Sequence, residues 1–397
     1  MAFRPKTTVC REGWYYMLIV ALVIGGAMFK DVNLLLILGG MLLGPVLLNW
    51  RAVAIAMRGL IIERQLPLHA VAGEPLAVNL TATNGRRRLG SWAIVAEDQI
   101  LPESGARRGR RPPPPPLRTS VLFPYIRAGE TKKGGYRGRL ARRGRYRFGP
   151  IRLSTRFPFG LFSRTTTIGK PETLIVLPRL GILTEKWTAR PVQAFSGADQ
   201  RRNRPGPEGN FYGVRQWRPG DGKRMIHWRS SARIGELAVR QFERPRSRDL
   251  AVLLDLRLPA SAGAHEYETV ETAVSFAATI LSDVCRKGGG NVSLATADPE
   301  PNCVEGPASP AALQNIMERL ALVDAGSTDN LQTLLIHALR RINADAEVVL
   351  VAAEPVDLND RRRLAELWSD PSLRERMQRI RCIDASSDRL ADFFRVE

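Results

Sequence analysis

Two apolar runs, residues 14–29 and 32–50, constrain this chain more than any other feature, because only Lys30 and Asp31 separate them. The second run has 19 residues, enough to cross a hydrocarbon core of about 30 Å. The first has 16 and is slightly short, but it opens on Trp14, Tyr15 and Tyr16, side chains suited to a membrane interface. Together they predict a transmembrane helical hairpin over residues 1–58. A cleaved signal peptide competes for the first run only, and no small-residue cleavage site precedes the second run. A buried hairpin in a soluble protein is the other alternative. Arg4, Lys6 and Arg11 precede the hairpin and Arg51, Arg58 and Arg64 follow it, whereas Lys30 in the turn is offset by Asp31. This asymmetry predicts a bacterial cell (inner) membrane location with both termini and the soluble domains cytoplasmic.

The net charge of +20 is divided unevenly. Residues 249–397 hold 15 Lys/Arg and 24 Asp/Glu, a net of −9, which leaves +29 for residues 1–248. The two parts are therefore expected to face different surroundings. Cys10, Cys285, Cys303 and Cys382 show no paired spacing, so neither a zinc site nor a disulfide framework is expected. Scattered thiols fit a reducing compartment.

Residues 59–180 carry short apolar runs broken by Gly, Pro and Asn, which predicts an all-β, sandwich-like domain. Within it, residues 107–111 and the five prolines Pro112 to Pro116 form an insert that cannot join a central strand and is expected as an exposed loop. Docking of this insert in an aromatic groove is the alternative. Residues 127–147 carry nine Lys/Arg against the single acid Glu130. Three readings compete: a solvated sheet face, contact with anionic headgroups, and nucleic-acid binding. No motif supports sequence-specific reading of nucleic acid.

Residues 181–247 read as a linker plus a segment, 211–242, unusually rich in Arg, Trp, His and Gly. Pro219, Gly220, Asp221 and Gly222 predict a turn, with Asp221 capping a short helix over residues 223–233 and a strand over 237–242. Met225, Ile226, Trp228 and Ala232 are its apolar positions. His227 is expected as a packed structural histidine, Trp228 either as core or as a surface binding residue, and Arg224, Arg229 and Arg233 are expected to fork toward carboxylates and bridge the domains.

The run from Tyr212 through Arg215 to Trp217, with Gly220, Asp221, Arg224, residues 226–228, Ser231 to Arg233 and the following Leu-x-Val, resembles the signature of the domain-of-unknown-function-58 family. The resemblance implies a membrane-anchored protein with a β-rich region and a C-terminal von Willebrand factor A-like domain, associated with MoxR-type AAA+ ATPases. It implies no particular activity. Residues 143–162 also resemble the family, which has Asp before Pro-Phe-Gly where this chain has Arg156 and Phe157.

Over residues 248–397, strands at 249–255, 291–297, 347–353 and 379–385 alternate with helices at 265–286, 310–322, 328–342 and 358–368. Alternation of this kind predicts an α/β doubly wound parallel sheet. Ligands of such sheets sit beyond the carboxyl ends of the strands, here at Asp255 and the loops after Ala297 and Ala353. The von Willebrand A resemblance implies a divalent ion held by D-x-S-x-S, but Arg257 and Pro259 stand at both serine positions. Thr328 matches the family-type Thr, and Glu354 or Asp357 the later acid. With the ligand set broken and a guanidinium beside it, no metal and no cofactor are expected, and Asp255 is expected to pair with Arg257 or another Arg.

Asp221, His227, Ser230 and Ser231 supply hydrolase residue types, yet no nucleophile elbow, H-E-x-x-H or P-loop occurs. The expected function is therefore a non-enzymatic, membrane-anchored protein-interaction scaffold or adaptor working with a MoxR-type AAA+ ATPase. A metal-dependent A-type ligand-binding domain and a hydrolase are the alternatives.

Overall fold

The structure is a computed structural model that describes residues 5–30, 33–103, 114–188, 205–218, 221–243, 249–259, 261–297 and 302–396. It divides into two compact units, Met1–Arg179 and Leu180–Glu397.

In the first unit a short strand, β1 (Lys6–Val9), leads into helices α1 (Arg11–Lys30) and α2 (Asn33–Ala56). Both helices are long and apolar enough to cross a membrane, and only 17% and 11% of their apolar windows are buried, so they do not form the core of a soluble hairpin. The second runs six residues past the expected end at Trp50, because its last turn packs under the following sheet, with Val53 and Ala56 buried.

Ten strands follow: β2 (Leu60–Gln65), β3 (Ala70–Val71), β4 (Pro75–Asn84), β5 (Ser91–Pro102), β6 (Leu117–Ile126), β7 (Thr131–Arg139), β8 (Gly144–Phe148), β9 (Ile151–Thr155), β10 (Phe162–Ile168) and β11 (Glu172–Leu177). They form a three-stranded sheet, β2-β4-β7, and an eight-stranded sheet, β1-β10-β9-β5-β8-β11-β3 with β6 on β5. The β-rich expectation thus holds, with strand alternation such as that of β4 sending Leu76, Val78, Leu80 and Ala82 inward. Pro114 to Pro116 form no regular structure ahead of β6, while residues 107–113 lie outside the described residues.

The two sheets are tied by a buried ion pair. Arg64 on β2 makes two bonds to Asp98 on β5, at 2.9 and 2.6 Å, and a third to the Gly149 carbonyl at 2.6 Å. Tyr136 on β7 donates to the same carboxylate at 2.7 Å, and burial together with this bond pushes its phenol pKa well up. Both charged side chains are essentially inaccessible, at 1% and 0% exposure, so each depends on the other.

The second unit begins with β12 (Gly181–Leu183) and α3 (Glu185–Thr188). These residues are not the linker expected from sequence. The strand β12 pairs antiparallel with the last strand, β20 (Phe394–Val396), and Trp187 lies under the Arg381 guanidinium at 4.0 Å and edge-on to Phe276. Next come β13 (Pro205–Gln216), α4 (Trp228–Ile234) and β14 (Ala238–Glu243), the last two separated from β13 by a 3-10 turn at Lys223–Met225.

The remaining elements are β15 (Leu250–Asp255), α5 (Ala264–Lys287), β16 (Asn291–Thr296), β17 (Asn302–Pro307), α6 (Pro310–Leu322), α7 (Leu331–Arg341), β18 (Glu347–Ala352), α8 (Ala365–Ser369), α9 (Pro371–Met377) and β19 (Arg381–Asp384). They build a five-stranded sheet ordered β17-β16-β15-β18-β19, with β16, β15, β18 and β19 parallel. All six residues of the central β15 are buried, as a strand covered on both faces requires. Ala251 and Leu253 pack toward α7, α8 and α9, and the alternate side chains face α5. A parallel sheet was expected, but β17 is an antiparallel edge, and of the helix expected at 358–368 only the end is helical, as the start of α8, with α9 following it.

Removing one partner of the buried pair strands the other in the interior. Asp98→Ala is expected to destabilise the first unit by about 3–5 kcal/mol, read by denaturant unfolding of the detergent-solubilised chain. A loss below about 1 kcal/mol, the worth of an exposed pair, would contradict this account of how the sheets are joined.

Candidate functional site

Two places carry the singled-out residues, both in the second unit. The first is the hairpin of β13 and β14, where Arg215 lies opposite Val239 and Gln216 opposite Ala238. Asp221 does not cap a helix. Its two oxygens take both guanidinium nitrogens of Arg215, at 2.6 and 2.7 Å, and one also accepts the Arg218 N–H at 2.9 Å. Those bonds hold its carboxyl at a pKa of about 2, well below the usual carboxylate range. An upstream arginine and a downstream acid therefore latch the turn shut. Gly220 and the side chain of Tyr212 lie outside the described residues.

Beyond the latch, Ile226 is buried and bridges Val239, and His227 caps α4 in place of Asp221. The His227 Nδ1 accepts the Ser230 N–H at 3.3 Å and lies 2.7 Å from its hydroxyl, and the backbone N–H of His227 reaches the Ala238 carbonyl at 2.8 Å. Ser231 is the one buried residue of the helix. It donates to the His227 carbonyl at 3.1 Å and accepts the Ala238 N–H at 2.8 Å, pinning helix to strand. Gly235 ends the helix at φ +78°, a conformation that favours glycine.

This geometry decides between the two readings of Trp228. A seven-residue helix held by its cap and by one serine has no interior of its own, and Trp228 is 67% exposed. Ile234 and Leu237 are exposed beside it in the chain. Arg224, Arg229 and Arg233 form no ion pair among the described residues. Of the hydrolase-type residues, Asp221 has its carboxylate bound by Arg215, and the contact between His227 and Ser230 caps the helix locally.

The second place is the carboxyl end of the parallel sheet. Asp255 is buried, which pushes its pKa up, and its Oδ1 accepts the Arg257 backbone N–H at 3.2 Å. The Arg257 guanidinium turns instead to Glu354 at 2.8 Å and toward Asp329 at 3.6 Å. Asp329, next to the exposed Thr328, is held by Arg363 through two bonds of 2.7 Å, which lower its pKa. The expected Asp255–Arg257 side-chain pair is therefore replaced by a network in which two guanidinium groups balance Asp329 and Glu354. Sequence reasoning missed Asp329 and Arg363, whose only signal was their position in loops following α6 and β18. Among the described residues no group of three or more His, Cys, Asp or Glu is arranged to hold a metal ion.

The family described as protein of unknown function DUF58 matches residues 213–368, a span that contains both places. This segment is similar to the DUF58 family. The uncharacterized protein YeaD of Bacillus subtilis (strain 168) is 27% identical over 264 residues, covering 65% of this chain. The match spans 61% of the length of that relative. Solved structures with local likeness include a Listeria innocua β-glucosidase in complex with gluconolactone (13% identity, TM-score 0.19, 30% of this chain and 16% of that one). The sporulation control protein Spo0M of Bacillus subtilis is similar at 11% identity and TM-score 0.18, over 30% of this chain and 50% of that one. Scores this low carry no argument about fold or function.

Within the DUF58 segment the exposed ring and the buried hydroxyl should respond oppositely to truncation. Trp228→Ala is expected to change stability by less than about 0.5 kcal/mol, as surface substitutions do. Ser231→Ala, which leaves the Ala238 N–H without its acceptor, is expected to cost about 1–3 kcal/mol in the same denaturant titration. A large loss for Trp228→Ala would return the ring to the interior.

Proposed function

We propose that this protein is a membrane-anchored scaffold or adaptor that docks another protein on the α4 face. The observation that carries the proposal is the exposed Trp228 on a helix fixed from beneath by His227 and Ser231. A rigid, pre-positioned tryptophan is the kind of residue that dominates binding energy at protein interfaces. Exposed Arg218, Lys223, Arg224, Arg229 and Arg233 flank it in the chain, which favours a partner with an acidic surface. The domain arrangement implied by the family resemblance makes that partner a MoxR-type AAA+ ATPase and makes the C-terminal α/β region a von Willebrand factor A-like domain. In that domain Arg257 supplies a built-in cation at the strand ends, so recognition there is metal-independent. Lys/Arg at both ends of the apolar hairpin favours an inner-membrane location with both soluble units in the cytoplasm.

The test is a binding titration between the full chain in nanodiscs and a purified MoxR-type AAA+ ATPase from the same organism. Trp228→Ala is expected to weaken binding at least about tenfold while leaving the melting temperature unchanged. Equal binding by wild type and Trp228→Ala, or no binding by the wild type, would contradict the proposal.

A further inference from the structure

The first unit carries an aromatic cluster that is partly open to solvent. Trp92 on β5 stacks on Phe157 with ring centroids 5.4 Å apart and a 12° interplanar angle, and lies 4.1 Å from the Tyr125 ring on β6. Stacking of this kind normally accompanies burial, yet Trp92 is 45% and Phe157 36% exposed, and neighbouring Phe159 and Leu89 are more than half exposed.

The position of this cluster along the apolar helices is fixed by hydrogen bonds. The turn 156–161 runs into β10, and Leu161 and Phe162 pack among Val9, Tyr16, Met17, Val46 and Val53. The Leu161 carbonyl accepts the Cys10 N–H at 2.9 Å and lies so close to Gly13 that a Cβ there would sit 2.2 Å away. The Phe162 N–H donates to the Asn49 Oδ1 at 2.9 Å. Gly13 adjoins Trp14 and Asn49 adjoins Trp50, and both tryptophans are exposed, at 64% and 55%. The loop before β5 is fixed to the same end of α2, where Arg86 reaches the Ile55 carbonyl at 2.9 Å and Ser91 the Ala56 carbonyl at 3.0 Å.

A helix of 24 residues is about 36 Å long, some 6 Å more than a hydrocarbon core, so Asn49 and Trp50 fall near the boundary once α2 spans a bilayer. Tryptophan and tyrosine concentrate at that level. Phe157 and Phe159 are held there by the bonds of Leu161 and Phe162. Exposed Arg51, Arg58, Arg87, Arg88, Arg127 and Arg156 surround the cluster in the chain, against Glu12 and Glu130.

We infer that the 156–160 turn, with Trp92 and Tyr125, is a membrane-interface wedge by which the β-rich unit seats itself in an anionic phospholipid surface. The inference rests on the reading that α1 and α2 span a bilayer. The wedge would hold the unit against the leaflet and so fix the tilt of the hairpin joined to it.

The test places the photo-crosslinker p-benzoylphenylalanine at Phe159, and separately at the exposed mid-helix Met41, in the full chain reconstituted in phosphatidylglycerol-containing nanodiscs. Mass spectrometry after irradiation is expected to show a gain of one phospholipid at both positions, with the Phe159 yield falling when phosphatidylcholine replaces phosphatidylglycerol. A lipid adduct at Met41 alone would overturn the wedge and leave the spanning hairpin intact. Adducts at neither position would overturn both. A Phe159 yield indifferent to lipid charge would overturn the arginine contribution.

Discussion

The pairing of β1 with β10 governs the rest of the first unit. Because the strand before α1 pairs with β10, with Lys6 opposite Thr165 and Val9 opposite Phe162, and the Phe162 N–H of β10 donates to Asn49 of α2, the two open ends of the helical hairpin are stapled together. Whatever the hairpin crosses, its beginning and its end lie on one side. The exit from α2 is equally constrained, since Arg86 and Ser91 satisfy carbonyls that a helix end leaves without partners. The helices and the β-rich unit are therefore one continuous structure, not a tether followed by a free domain.

Both units carry solvent-exposed ion pairs, but among the described residues only the first has one buried outright. The first, in the basic part of the chain, buries one pair, Arg64 with Asp98, and uses it to join its sheets. The second carries ion pairs at the strand ends and in the 215–221 latch that are partly open to solvent. Buried charge fixes a fold, whereas solvent-facing charge at a rigid rim is available to a partner. The proposed division of labour, anchoring by the first unit and recognition by the second, follows that contrast.

Much of the architecture was legible because apolar runs report burial directly. The continuous run in β15 and the period of α5 were read within one or two residues of their observed bounds. Elements stabilised by distant partners were not legible. The strand β12 looks like linker because its partner β20 is more than two hundred residues away, and β17 has no apolar run of its own. At the candidate site, local rules do not reach the contacts that place Asp221 and Trp228. Asp221 resembles a helix cap to any local rule, and only the hairpin register brings Arg215 onto it. Trp228 looks like core because tryptophan usually is, and only the brevity of α4 turns it outward.

The most direct test of the anchoring claim uses chains tagged ahead of residue 1 and after Glu397, with protease added to right-side-out and to inverted membrane vesicles. The account predicts that both tags are cleaved together, in inverted vesicles only. Cleavage of the two tags from opposite sides, or of either in right-side-out vesicles, would contradict it.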